Sequence, residues 1–210
     1  MSASDEAATD GRAARKVSTR ARIVLAASPL FADRGYTGTS MDDIADAAGV
    51  SKGAIFYNFK SKADLFAELV HTAAATTASD IEAARAGLSG WAALDAVAWS
   101  VLRRVDASPA AAQILLNELL RSGRPWEASL RDARDILVAP LVAVLAEIAQ
   151  ERLTADPTCA PILPEHRPGL ALSLLGSLVV AALDRRTYSP ERTLADVHQV
   201  LLTAVSGLRC

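Results

Sequence analysis

Cysteine and histidine are scarce in this sequence of 210 residues, which holds two of the former and three of the latter. Cys159 lies in a proline-rich segment and Cys210 is the last residue, a poor basis for a disulfide framework. His71, His166 and His198 are too scattered to form a metal set, and Cys159 with His166 lacks a zinc-like partner pair. No metal or cofactor is expected. Long apolar runs are missing too. The most apolar stretch, "LALSLLGSLVVAAL" at 170–183, falls short of the roughly 18 to 20 residues of a spanning helix. No apolar stretch follows Arg12 and Arg15 as a signal-peptide core would. These absences predict a soluble, cytoplasmic chain that does not enter a membrane. No nucleophile motif, glycine-rich phosphate loop or pair of catalytic carboxylates stands out either, so no catalytic residue is assigned.

Net charge, at −2, singles out no partner, but its distribution is uneven. Arg12, Arg15, Lys16, Arg20 and Arg22 follow one another with no acid between them. Such a run attracts nucleic acid or anionic lipid, or is a solvated tail.

What the sequence does have is helical periodicity almost throughout, with Gly and Pro clusters as punctuation and no period-2 alternation. The fold class expected is all-α, with about nine helices. A first helix is expected over about 19–34, with Ile23, Ala27, Leu30 and Phe31 on one face and Gly35 as its left-handed cap. Later ones are expected near 62–86, 90–106, 109–122, 126–152, 165–186 and 190–208. Pro140 should kink or split the fourth of these. Residues 1–17 read as a disordered basic tail.

The segment "MDDIADAAGVSKGAIFYNFKSK", 41–62, is the most informative. Met41, Ile44, Ala45 and Ala48 make one apolar face of a two-turn helix with Ser40 as N-cap. Gly49 ends it, Ser51 caps a second short helix, and Ile55 fills the gap where the two cross near the small Ala45. This is the packing logic of a helix-turn-helix, although any helical hairpin could show the same three residues. The polar decoration favours DNA. Thr39, Ser40, Ser51, Lys52 and Lys62 place hydroxyls, ammonium groups or helix N-termini where phosphates could sit.

At residues 21–70 the chain resembles the tetracycline-repressor-like (TetR) transcriptional regulators. The resemblance rests on Gly35-Tyr36, Thr39-Ser40, Ile44-Ala45, Ala48-Gly49-Val50-Ser51, Gly53, Phe59 and Ser61-Lys62 at the usual spacing. It implies an N-terminal three-helix helix-turn-helix module, 18–65, followed by a C-terminal helical bundle, 66–210, that senses a ligand and dimerises. It further implies phosphate contacts from Thr39 and Ser40, and a base-facing start of the recognition helix at Lys52, Gly53 and Ala54. Lys62 would grip the DNA backbone. Phe56 stands where the family usually has a phosphate-binding tyrosine, and Tyr57 next to it could replace that contact.

In the remainder, Trp91, Trp99 and Trp126, with Gln113 and Asn117 one turn apart, could line a mostly apolar cavity for a small effector. Alternatively the tryptophans are packing and the two amides a solvated face. Leu175, Leu178, Val179 and Ala182 of one helix and Val197, Leu201 and Ala204 of the next could close a four-helix bundle between two chains, or be covered within one. The function implied is a homodimeric repressor of a palindromic double-stranded operator, released by a small apolar or amphipathic effector. An all-helical enzyme or carrier for a small apolar molecule is the alternative.

Overall fold

The computed structural model describes residues 18–119, 123 and 125–209, so the expected basic tail and Cys210 lie outside the described residues. Among the described residues there are nine α-helices, two short 3-10 turns and no strand.

Helix α1, Thr19–Gly38, starts on the Ser18 hydroxyl, which accepts from the Ala21 N–H. It is interrupted at Gly35, whose φ of 69° is open to glycine at little cost. Ile23, Val24, Ala27 and Phe31 form its buried stripe. The short helices α2, Met41–Ala48, and α3, Lys52–Asn58, follow. Helix α4, Lys62–Arg85, begins against this trio and runs on into the rest of the chain.

The rest is a bundle of α5, Gly90–Ala107, α6, Pro109–Leu119, α7, Glu127–Ala155, α8, Arg167–Tyr188, and α9, Leu194–Ala204. Helices α4 and α7 pack along each other at its centre, and one contiguous apolar core runs from Ile23 to Val197. Carboxylates from α7 reach across to the start of α5. Glu147 accepts the Gly90 N–H and pairs with Arg85, and Glu151 accepts the Trp91 N–H, so amides left unpaired at a helix N-terminus find acceptors on a neighbouring helix.

Three expectations need correction. Pro140 is buried inside α7, and that helix continues through it as one element of 29 residues, so it does not split there. Helix α8 with its leading turn, Pro164–Tyr188, is long and apolar enough by length and composition to cross a membrane; the 170–183 estimate left out its ends. One face of it nevertheless packs on the bundle through Ala171, Leu175, Leu178 and Ala182. Cys159 is buried and disulfide-bonded, where the sequence argued against a disulfide.

Candidate DNA-binding face and effector cavity

Helices α2 and α3 cross where Ala45, 1% exposed, lets their backbones approach, and Ile55, fully buried, fills the angle. Gly49 takes φ 63° and ψ 41° between them. Its N–H and that of Val50 return to carbonyls of the last turn of α2, closing a Schellman motif. Each short helix is capped by its own serine. Ser40 and Asp43 make a reciprocal capping box, which holds the Asp43 carboxyl below its ordinary range, chiefly through the hydrogen bonds from Ser40. Ser51 accepts from the Ala54 N–H, and Ser61 does the same for α4 by accepting from Asp64.

Two arginines that the sequence reading assigned to the basic run complete the module from α1. Arg22 donates to the Ala48 carbonyl at 2.7 Å, closing the end of α2. Arg20 donates to the Asn58 carbonyl at 2.6 Å, pairs with Glu68 and stacks on the Phe59 ring. Their position in the first turn of a helix beside the hairpin is the signal that could have revealed this role.

With Ile55 and Phe59 held inside, the opposite face of α3 turns outward. Ser51, Lys52 and Gly53 are exposed, Ala54 is half-buried, Phe56 is 52% exposed and Tyr57 91%. Two large aromatic rings left in water on so short a helix are what a nucleic-acid contact would cover. Lys60, exposed just beyond α3, adds a positive charge that the sequence reading did not single out. Lys52 is engaged with Asp42 of α2 at 2.6 Å, and the hydrogen bond and charge of that carboxylate hold its ammonium above the ordinary lysine range.

Two expected phosphate ligands serve the protein's own backbone. Thr39 is 1% exposed, and its hydroxyl proton is shared between the carbonyls of Gly35 at 2.9 Å and Leu30 at 3.1 Å. Lys62 donates to the Tyr36 and Thr39 carbonyls, both at 2.7 Å, and lies over the Tyr36 ring. It is a tie between α4 and the end of α1. Burial, and secondarily the charge of Asp64, raise the Tyr36 hydroxyl above its ordinary value. Lys62→Met should therefore lower stability by about 2 kcal/mol, the scale of losing charged hydrogen bonds at a half-buried site. A denaturation midpoint equal to wild type would return Lys62 to a purely DNA-directed role.

Trp91 and Trp126 pack on the core, while Trp99 borders an open hollow of about 430 Å³ with Ala84, Asp95, Ala96 and Arg103. Trp126 is 3% exposed, with ring centroids 4.2 Å from Tyr36 and 4.6 Å from Phe66. Trp99 stacks on His198 of α9 at 4.5 Å, and His198 Nε2 lies 3.3 Å from Asp95, off the line of a hydrogen bond. Trp91 is half-buried against the core. Gln113 and Asn117 are exposed, on the outer side of α6.

The main cavity, about 600 Å³, lies elsewhere. Its walls come from Val24, Leu25 and Ser28 of α1, Leu69 and Ala73 of α4, Val101 and Arg104 of α5, Ala112 and Leu115 of α6, Arg134 and Leu137 of α7, and Leu172 and Val179 of α8. Small residues facing one another, such as Ala73, Ala112 and Gly176, leave the space. That size suits a small organic ligand.

Of the expected interface residues, Leu175, Leu178, Ala182 and Val197 are buried within the chain's own core. Val179 and Leu201 are half-buried and Ala204 is exposed. The apolar side chains these helices present outward are Val180, 50% exposed, and Val200, 66% exposed. The face pointing away from the chain was misassigned, because α5 and α7 cover the other one.

Residues 23–69 match the model of the bacterial regulatory proteins, tetR family. Over 51 residues the chain is 49% identical to the HTH-type transcriptional regulator AcrR of Shigella flexneri, a match covering 24% of each protein. Over 112 residues, 53% of each, it is 31% identical to the HTH-type transcriptional repressor KstR2 of Rhodococcus jostii (strain RHA1). The match thus spans about a quarter to a half of these curated relatives. The fatty acid degradation regulator FadR from Bacillus halodurans has the same fold, with a TM-score of 0.70 at 20% identity over 90% of this chain and 96% of that one.

Proposed function

Because residues 23–69 make the chain a member of the tetR family of bacterial regulatory proteins, we propose that it is a ligand-responsive transcriptional repressor that binds a palindromic operator as a homodimer. The observation that carries this reading is the outward face of α3, where Lys52, Phe56 and Tyr57 stand exposed on a helix locked from behind by Ile55 and Phe59. A short rigid helix presenting a long cation and two aromatic rings suits the major groove, with Tyr57 available to a phosphate and Phe56 to a sugar or thymine methyl. Ser40 and Ser51 lie beside it at two helix N-termini that favour anions.

The dimer is supported by the outer face of α8 and α9. An apolar window of Pro164–Tyr188 is only 22% buried within the chain, and a second copy packed by two-fold symmetry would cover Val180 and Val200. In such a dimer the two α3 helices would address half-sites roughly 34 to 36 Å apart. The cavity would hold the effector. A ligand favouring one arrangement of the bundle would shift the population and displace α4, changing the spacing of the reading helices.

Selection of bound fragments from a random DNA pool tests the reading, and an enriched inverted repeat is the expected result. No enriched sequence at moderate salt would remove it. Within that assay Asp42→Asn should raise affinity several-fold, because it frees Lys52 and takes a negative charge away from the DNA face. Lys52→Ala should relax the preference at one base pair by about 1 to 3 kcal/mol. Uniform weakening on all sequences would make Lys52 a phosphate ligand instead.

A further inference from the structure

We infer that the cavity takes an anionic amphiphile whose body is aliphatic and not aromatic; this rests on reading the cavity as the effector site. Two properties of the lining carry it. First, no Phe, Tyr or Trp stands among its described residues. The walls are aliphatic side chains such as Val101, Leu115, Leu137 and Leu172. Planar ligands gain from stacking on aromatic faces, and cationic ones from the electron-rich face of a ring. This lining offers neither, while a flexible hydrocarbon chain needs only the apolar contact it does offer.

Second, the charged groups on the lining are both guanidiniums, Arg104 of α5 and Arg134 of α7, and no carboxylate stands with them among the described residues. Their acidic neighbours stay outside the cavity: Asp80 lies 3.5 Å from Arg104, and Asp135 lies 3.3 Å from Arg134. A guanidinium has five N–H donors, so each keeps several for a ligand. The hydroxyls of Thr76 and Thr77 donate to the Thr72 and Ala73 carbonyls at 2.7 and 2.8 Å, which leaves them only as acceptors. Ser28, Thr72 and Ser108 add neutral hydroxyls to the lining, but the only positive charges that could meet a ligand anion among the described lining residues are the two arginines, and the apolar walls strengthen that pairing relative to water. The rim reaches the surface at Leu25, 67% exposed, so a bulky head group need not be enclosed.

The shared chemistry is an aliphatic chain ending in negative charge, as in a fatty acid or its coenzyme A thioester. Calorimetric titration of the full chain with dodecanoate, dodecanoyl-CoA, dodecanol, dodecyltrimethylammonium and naphthoate, each below its micelle concentration, tests it. At least one dodecanoyl anion should bind tenfold or more tighter than the alcohol, the ammonium and naphthoate. Which of the two does so identifies the head as carboxylate or phosphate. Arg104→Gln with Arg134→Gln should remove on the order of tenfold or more of that advantage and leave dodecanol binding unchanged. Equal binding of acid, alcohol and ammonium would keep the cavity as a ligand site but overturn the charge assignment, as would an anion indifferent to both arginines. Naphthoate binding as tightly as dodecanoate would overturn the aliphatic assignment. No binding by any of the five to protein that circular dichroism shows folded would overturn the effector-site reading and this inference with it.

Discussion

Leu178→Glu should yield no folded protein, whereas Val180→Glu, two residues along the same helix, should yield a folded single chain. Leu178 is 4% exposed and faces the bundle, so a carboxylate there would be buried without a partner. That costs several kcal/mol against a total stability of roughly 5 to 15. Val180 is 50% exposed on the opposite side. A glutamate there is solvated in the isolated chain, but a two-fold contact over this face would bury its charge without a partner, which opposes association. Light scattering and circular dichroism on both variants distinguish the cases. A folded dimer from Val180→Glu would move the interface elsewhere, and a well-folded Leu178→Glu would mean that this face of α8 is looser than its burial indicates.

Trp126→Ala should be nearly as damaging, through cavity formation instead of charge. Its indole is the wedge by which the first turn of α7 contacts Tyr36 at the end of α1 and Phe66 in α4, and Phe31 completes the cluster at 5.0 Å from Phe66. Removing a buried tryptophan costs about 3 to 5 kcal/mol. In a chain of this size the thermal midpoint should fall by roughly 10 °C. Trp126→Phe should recover much of the loss, since a smaller ring keeps part of the stack. A midpoint within a degree or two of wild type for the alanine variant would show that the cluster closes over the gap.

What could be read in advance was what is local. Ala45, Gly49 and Ile55 specify their hairpin within eleven positions, and Ser40, Ser51 and Ser61 announce three helix starts, because each cap bonds to an amide three residues on. The contacts that Thr39 and Lys62 make within the chain lie outside that range. The end of α1 leaves carbonyls of Gly35, Tyr36 and Thr39 that need donors, and the Thr39 hydroxyl and the Lys62 ammonium supply them. The cavity was missed because it is a place where volume is absent. Conspicuous residues such as Trp126 mark where the chain packs, whereas alanines and a glycine mark where it does not. The outward face of α8 was equally out of reach, since a helix apolar on every side does not say which side its own chain will cover.

Helix α1 supplies Ile23, Ala27 and Phe31 to the helix-turn-helix unit and, on its other side, Val24, Leu25 and Ser28 to the cavity wall. The two parts of the chain are thus not interchangeable cassettes. A chimera spliced between α3 and α4, joining this module to a sensor taken from another protein, would import a foreign panel into that sensor's binding site. On the function proposed above, such a fusion should keep its DNA preference yet respond to the wrong molecule or to none, until the outer side of α1 is transplanted together with the bundle it closes.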